Sequence, residues 1–250
     1  MQNSPYQKFA RYYDTYVQHF VDDLPFYCTS IKKSKSVIEV GCGTGRILQS
    51  LLGSCSHITG VDVSTEMLAI AKARFTDQLA TGELHLEIHN FLDGPMVDHF
   101  DAALVTFFTF NYVLDDPQRF LSNLRNSVAR QGILIMDLFH PKPLRLPETD
   151  GQWSEMSFST DGRTIQCRDR RTMSKEREIR TQIYLDGSDE TEIITQRRYY
   201  SPQEIVDLLL ESGWSEVQLS KSYSVDGFMA DINLRAKDSH FLVRAVANGM

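Results

Sequence analysis

Cysteine is scarce and unpatterned in this chain. Its four residues, Cys28, Cys42, Cys55 and Cys167, show no C-x-x-C spacing and have no histidine pair nearby. Neither a zinc site nor a disulfide framework is indicated, so no metal is expected and reduced thiols in the cytoplasm are the expected state. Long apolar runs are missing as well. No stretch of about 18 apolar residues occurs, and Met1-Gln-Asn-Ser-Pro5 lacks the apolar centre of a signal peptide. No membrane partner is therefore expected. A basic excess is also absent: the formal net charge is −7, whereas a nucleic-acid partner needs a cationic footprint. There is no G-x-x-x-x-G-K-S/T sequence, which removes a P-loop, and no internal repeat or low-complexity tract.

What is present is concentrated in Val37-Ile-Glu-Val-Gly-Cys-Gly-Thr-Gly45 and in Asp62. Val37, Ile38 and Val40 read as the end of a buried strand, and Arg46 to Leu52 as the start of a helix. Gly41, Gly43 and Gly45 stand between them, where a side chain would hold a ligand off the backbone. A strand–glycine turn–helix unit also presents free backbone N–H groups to an anionic group. The next strand, Ile58-Thr-Gly-Val-Asp62, ends in a carboxylate where a doubly wound fold grips a ribose diol. A nucleoside-type cofactor follows. The dinucleotide pattern G-x-G-x-x-G/A fails, because its third small position is Arg46.

The pattern that stands here, E-x-G-x-G-x-G from Glu39 to Gly45, resembles motif I of the class I S-adenosylmethionine-dependent methyltransferases. Further segments agree in order. Ser64 or Thr65 caps a periodic helix through Arg74, Leu84 to Ile88 alternates as a strand, and Phe100 to Thr106 and Gly132 to Asp137 read as strands four and five. The resemblance covers residues 36–140 well and is taken up again by a helix, a Gly-Trp turn and a strand in 201–217. It implies a Rossmann-like, doubly wound α/β fold: seven strands, mostly parallel, the last antiparallel. Asp62 would then hold both ribose hydroxyls, Met67 would lie near the adenine, and Asn90 would replace the usual acid facing the adenine amino group. Glu39, Gly41, Cys42, Gly43, Val63, Phe91 and Thr106 would complete the cofactor site. The product would be S-adenosylhomocysteine.

Residues 1–35 read as an N-terminal helical lid, 36–140 and 201–250 as the cofactor domain, and 141–200 as an insertion. In the insertion, Pro141, Pro143 and Pro147 break any helix, and Asp161-Gly162 and Asp186-Gly187 are hairpin signals. A small antiparallel β insertion is expected. Residues 163–180 are rich in Arg and Lys, read here as solvated strand faces whose charges pair across the ladder. The insertion suits either a pocket wall or a homodimer contact. In the main domain, Asp115-Asp116-Pro117 opens a helix whose apolar face carries Phe120, Leu121, Leu124 and Val128, with Gly132 ending it.

The outline resembles the small-molecule branch of the family, where sugar-amine and glycine N-methyltransferases share an aromatic N-terminal segment. By that resemblance Tyr13 would approach the cofactor's methionine portion, and Tyr6 would sit near the methyl group. The carboxyl ends of strands four and five select the acceptor wall, Phe107, Phe108 and Tyr112, from an aromatic run that also serves the core. His140 is the expected general base and Asn111 an orienting hydrogen-bonder. A small-molecule acceptor is expected, an amine ahead of an acidic hydroxyl, methylated by in-line attack aided mainly by proximity and desolvation. Two other classes stay open: a fold that binds the cofactor without methyl transfer, and a protein or RNA methyltransferase. No N-P-P-Y/F sequence follows strand four, which weighs against the amino-methylating nucleic-acid and glutamine enzymes.

Overall fold

The computed structural model describes residues 6–140, 150–160, 162–174, 176–235 and 238–248. The side chains of residues 6–8, 160 and 174 also lie outside the described part. Along the chain run α1 (Tyr6–Val17), α2 (Leu24–Ser30), β1 (Ser36–Val40), α3 (Arg46–Leu51), β2 (His57–Asp62), α4 (Thr65–Arg74), α5 (Thr76–Thr81), β3 (Leu84–Ile88) and β4 (Phe100–Val105). A short 3-10 turn (Thr109–Tyr112) leads to α6 (Pro117–Asn126) and β5 (Val128–Phe139). Then come β6 (Trp153–Thr160), β7 (Arg163–Ser174), β8 (Arg177–Asp186), β9 (Asp189–Arg198), α7 (Pro202–Glu211), β10 (Trp214–Ser220) and β11 (His240–Ala247).

Seven strands form one sheet in the order β10-β11-β5-β4-β1-β2-β3. Strands β1 to β5 are mutually parallel. β11 runs antiparallel to both β5 and β10. This is the doubly wound sheet with a reversed last strand that the motif order implied. Its apolar residues are buried on both faces, as parallel strands require. Ile38, Val105 and Met136 pack with Phe120, Leu121, Ile205 and Leu209 of α6 and α7. Their strand neighbours Val37, Leu104 and Ile135 pack on the other face with Phe26, Leu48 and Leu68 of α2, α3 and α4. Ser64, Asp116 and Ser201 cap α4, α6 and α7 by accepting from Met67, Arg119 and Glu204 backbone N–H groups. Among the described residues no helix is long and apolar enough to cross a membrane.

One boundary differs from the sequence reading. α6 stops at Asn126, and Val128 already pairs with Phe100 in the sheet. Ser127 ends the helix, donating its hydroxyl to the Asn123 carbonyl (3.0 Å) and accepting from Met96 N (2.8 Å). Gly132 therefore sits inside β5, at a shift of register against β4. A Cβ there would lie 2.8 Å from the Asp101 carbonyl oxygen, so the close approach of two strands, not helix termination, requires glycine.

The insertion forms a second, four-stranded antiparallel sheet in the order β6-β7-β8-β9. Gly162 and Gly187 turn two of its hairpins with positive φ, as Asp-Gly signals predict. Asp161, Pro141, Pro143 and Pro147 lie outside the described residues. Helix α1 is wedged between the two sheets. Tyr12 stacks on Tyr184 of β8 at 4.7 Å, and Arg11 Nη2 donates to Thr191 Oγ1 of β9 (2.5 Å). On its other side Asp14 accepts from Thr44 Oγ1 (2.6 Å) and pairs with Arg74.

Candidate active site

The carboxyl ends of β1, β2, β4 and β5 open into a cavity of about 870 Å³, covered by α1 and the small sheet. Its floor starts at the glycine turn. Gly41 N and Cys42 N donate to the Val61 carbonyl (2.8 and 3.0 Å), Gly43 N to Asp62 Oδ2 (2.8 Å) and Gly45 N to the Cys42 carbonyl (2.9 Å). The N–H groups expected to await an anion are thus spent on the protein, and α3 behind them is only six residues long. The turn is a rigid cradle instead. A Cβ on Gly41 would lie 2.5 Å from Thr109 Cγ2, so packing against the loop after β4 demands that glycine. Gly43, by contrast, meets only the Tyr13 ring at 3.8 Å.

Two carboxylates flank the cradle. Glu39 is buried; its Oε1 accepts from Thr106 Oγ1 (2.8 Å), while Oε2 is buried with no partner. Burial pushes its carboxyl up to about 8. Asp62 accepts from Ser64 N on Oδ1 and Gly43 N on Oδ2, both at 2.8 Å, and the Val63 backbone N–H also reaches the carboxylate. Burial raises its pKa, opposed by these backbone N–H groups. Cys42, Val63 and Met67 line the cavity beside Asp62. Asn90 and Phe91 line it from the end of β3, with the Asn90 amide oxygen held by Leu92 N (3.0 Å). Every cofactor residue expected from the sequence, Tyr13 included, lines this one cavity.

The aromatic run divides between site and core. Phe107, Phe108 and Tyr112 line the cavity, whereas Phe110 is fully buried between Phe120 and Tyr200. Phe107 and Phe108 both have positive φ (52° and 65°), a strained backbone costing about 1–3 kcal/mol per residue. Fully buried Asp137 holds the strain: its Oδ1 accepts from Phe108 N (3.3 Å) and its Oδ2 from the Tyr223 hydroxyl (2.9 Å). Burial moves the Asp137 carboxyl up to about 6. Arg46, paired with Asp23, lays its guanidinium 4.6 Å above the Phe107 ring.

Neither the expected base, His140, nor the expected orienting residue, Asn111, is in the cavity lining. Asn111 is fully buried, donating Nδ2 to the Phe139 and Arg198 carbonyls (3.2 and 2.7 Å) and accepting from Phe139 N (2.8 Å). It staples the 3-10 turn to β5 and β9. His140, just past the end of β5, is not in the cavity lining; its backbone N–H donates to the Ser239 carbonyl and its Nδ1 is buried with no partner among the described residues. Tyr6 begins α1, but its side chain lies outside the described residues. A different histidine lines the cavity. His240 stacks on Tyr223 (5.1 Å between centroids) and lies 6.4 Å from Phe108; its Nε2 is buried with no partner. Burial lowers its pKa, so its ring is neutral at neutral pH. Because β11 is antiparallel, its first residue, paired with Phe139, reaches the carboxyl edge of the parallel strands. A search of strand ends alone misses it.

The opposite wall comes from the small sheet. Arg171, Arg180, Gln182, Thr195 and Arg197 line the cavity from β7, β8 and β9. Arg180 grips Asp169 with two hydrogen bonds (2.8 and 3.2 Å) and donates to the Tyr16 hydroxyl (3.1 Å). Arg197 pairs with Glu178 and stacks over Phe139. The charges do pair across the ladder as expected, but they face a buried site and not solvent.

A family model for the methyltransferase domain matches residues 38–134, which hold β1 through most of β5 and the whole glycine cradle. That stretch resembles a methyltransferase domain in sequence. The fold around it is shared too: an S-adenosylmethionine-dependent methyltransferase from Clostridium acetobutylicum superposes with a TM-score of 0.78 at 18% identity, covering 98% of this chain and 100% of that one. An amino pentose methyltransferase from Micromonospora echinaspora superposes with a TM-score of 0.73 at 17% identity, covering 99% and 100%. In sequence, a putative methyltransferase of Geobacillus sp. is 29% identical over 142 residues, 53% of this chain and 57% of that protein. The chain spans about half the length of the curated relatives it matches. The small sheet lies beyond the matched family segment.

Proposed function

We propose that the protein transfers a methyl group from S-adenosylmethionine to a small-molecule acceptor, releasing S-adenosylhomocysteine. The observation that carries this reading is the buried, unpartnered Oε2 of Glu39 beside the Gly43 cradle. A buried acceptor without a donor is costly, and an ammonium donor on a bound ligand removes that cost. Asp62, a carboxylate lining the cavity at the end of β2, suits a diol; Met67, Asn90 and Phe91 suit a flat base; Tyr13 closes over Gly43. When bound, the cofactor supplies a methyl carbon on a sulfonium that leaves readily. The protein's own part is to orient the acceptor against Phe107, Phe108 and Tyr112, exclude water, and take up a proton. His240 Nε2, neutral and unpartnered, is the base this geometry offers. An amine fits a base of that strength better than an alcohol does, and the amino pentose enzyme of the same fold supports that choice.

Calorimetry tests the cofactor. S-adenosylmethionine and S-adenosylhomocysteine should bind and NAD should not. Asp62→Ala should weaken binding at least tenfold, since hydrogen bonds to a charged group contribute about 1.5–3 kcal/mol. Unchanged affinity in that variant would remove Asp62 from the site. Incubation with labelled cofactor and extract should place label in the metabolite fraction, not in protein or RNA.

A further inference from the structure

We propose that Arg171, backed by Arg180 and Arg197, forms an oxyanion subsite that binds a carboxylate or phosphate-type group on the acceptor. Arg171 and Arg180 are direct cross-strand partners on β7 and β8. Like charges in that position repel, so the arrangement needs negative charge nearby. The protein supplies one carboxylate for the two. Asp169 is gripped twice by Arg180, and Arg171 reaches its Oδ2 at 3.3 Å. The third cation does not share its own acid freely: Glu178 takes two bonds from Arg197 and one from the Tyr199 hydroxyl (2.6 Å). Among the described residues these three guanidiniums thus meet two carboxylates, with one positive charge left over.

Their placement makes that excess informative. The Arg180 and Arg197 side chains are only 9% and 7% exposed, and a cation so buried demands an anion beside it. Arg171 is more open, at 29%, and is the guanidinium with fork donors to spare for an incoming oxyanion. Thr195, the register partner of Arg180, and Gln182 add neutral polar groups to the same wall. The cavity's other end holds Glu39 and Asp62. An acceptor that carries an oxyanion is therefore oriented with that group against the small sheet, which leaves its nucleophile toward the cradle. This rests on the reading that the cradle holds S-adenosylmethionine, and it narrows the acceptor to a small amine or hydroxyl compound that carries an oxyanion.

The test titrates sodium phosphate and sodium acetate into protein saturated with S-adenosylhomocysteine, at constant ionic strength set with chloride, and follows the melting temperature. Wild-type protein should show a saturable rise with at least one of the two anions. Arg171→Met should weaken the apparent affinity about tenfold, Arg171→Lys should fall between, and exposed Arg163→Met on the same strand should match wild type. No saturable rise in the wild type, or an equal rise in Arg171→Met, overturns the subsite. Calorimetry of S-adenosylhomocysteine on the same samples reads the cofactor reading separately: its failure with a retained anion response would sink the cradle and leave the arginines standing.

Discussion

The two ends of the cavity are built by different means, one around two acids and the other around three arginines. At the floor, a contiguous turn on a parallel sheet places Glu39, Asp62 and Gly43 within one stretch of chain and its next strand. At the roof, Arg171, Arg180 and Arg197 meet only through the register of three antiparallel strands. The floor's acids are held by backbone N–H groups and hydroxyls; the roof's arginines are held by buried ion pairs. The floor is therefore tolerant of charge loss, since each acid has neutral partners. In the roof, removing one member leaves an uncompensated buried ion.

That contrast can be broken most forcefully at the roof. Glu178→Ala strands the buried Arg197 guanidinium and should cost about 3–5 kcal/mol of stability, measured by urea unfolding. Affinity for S-adenosylhomocysteine per folded molecule should stay within a factor of about three, because the floor keeps its contacts. A parallel collapse of affinity would mean that the two ends are not separable. Between them, His240→Ala should lower the rate of methyl transfer about 10²–10⁴-fold if its Nε2 is the base, whereas His140→Ala should leave it nearly unchanged. The reverse order would restore the histidine that sequence position favours. The smallest effect belongs to the floor and to pH. Glu39 titrates near 8 in the folded chain, above its ordinary range near 4.5. The stability its neutral form contributes is present below the lower value and lost as pH rises through the upper one. Glu39→Gln lacks that loss, so its stability relative to wild type should climb by about 1 kcal/mol from about pH 6 to about pH 7 and level off above about pH 8. Parallel stability curves for the two proteins would show that Glu39 does not titrate in this window.

The same contrast explains what was legible in the sequence. The floor is encoded locally: glycine spacing, a carboxylate at the next strand end, a Ser cap and the order of strands all read correctly before any coordinates. Even there, the N–H groups read as free proved to be engaged by Val61 and Asp62, because a tight turn satisfies itself first. Gly132 read as a helix stop, because strand crowding leaves the same residue type as a helix end does. The roof was not legible. Alternate positions on three strands look like ordinary solvated charge until register and the covering α1 place them inside. His240 was invisible for a topological reason, since only a reversed strand brings a beginning to the edge where the others finish. Asn111 and His140 were sensible residue types at sensible positions, but backbone geometry made one a staple and left the other off the cavity lining.

Helix α1 touches both ends at once. Tyr12 and Arg11 fasten it to the small sheet, and Asp14 fastens it to Thr44 in the glycine turn and to Arg74 at the end of α4. A ligand lodged between Tyr13 and Gly43 is therefore held by two pieces of chain that face each other only while the helix is seated. By thermodynamic linkage, whatever affinity Tyr13 contributes reappears as resistance of helix α1, Tyr6–Val17, to peeling away. Ligand release and helix undocking are then one event, and amide exchange along Phe9–Val17 is a clock for both.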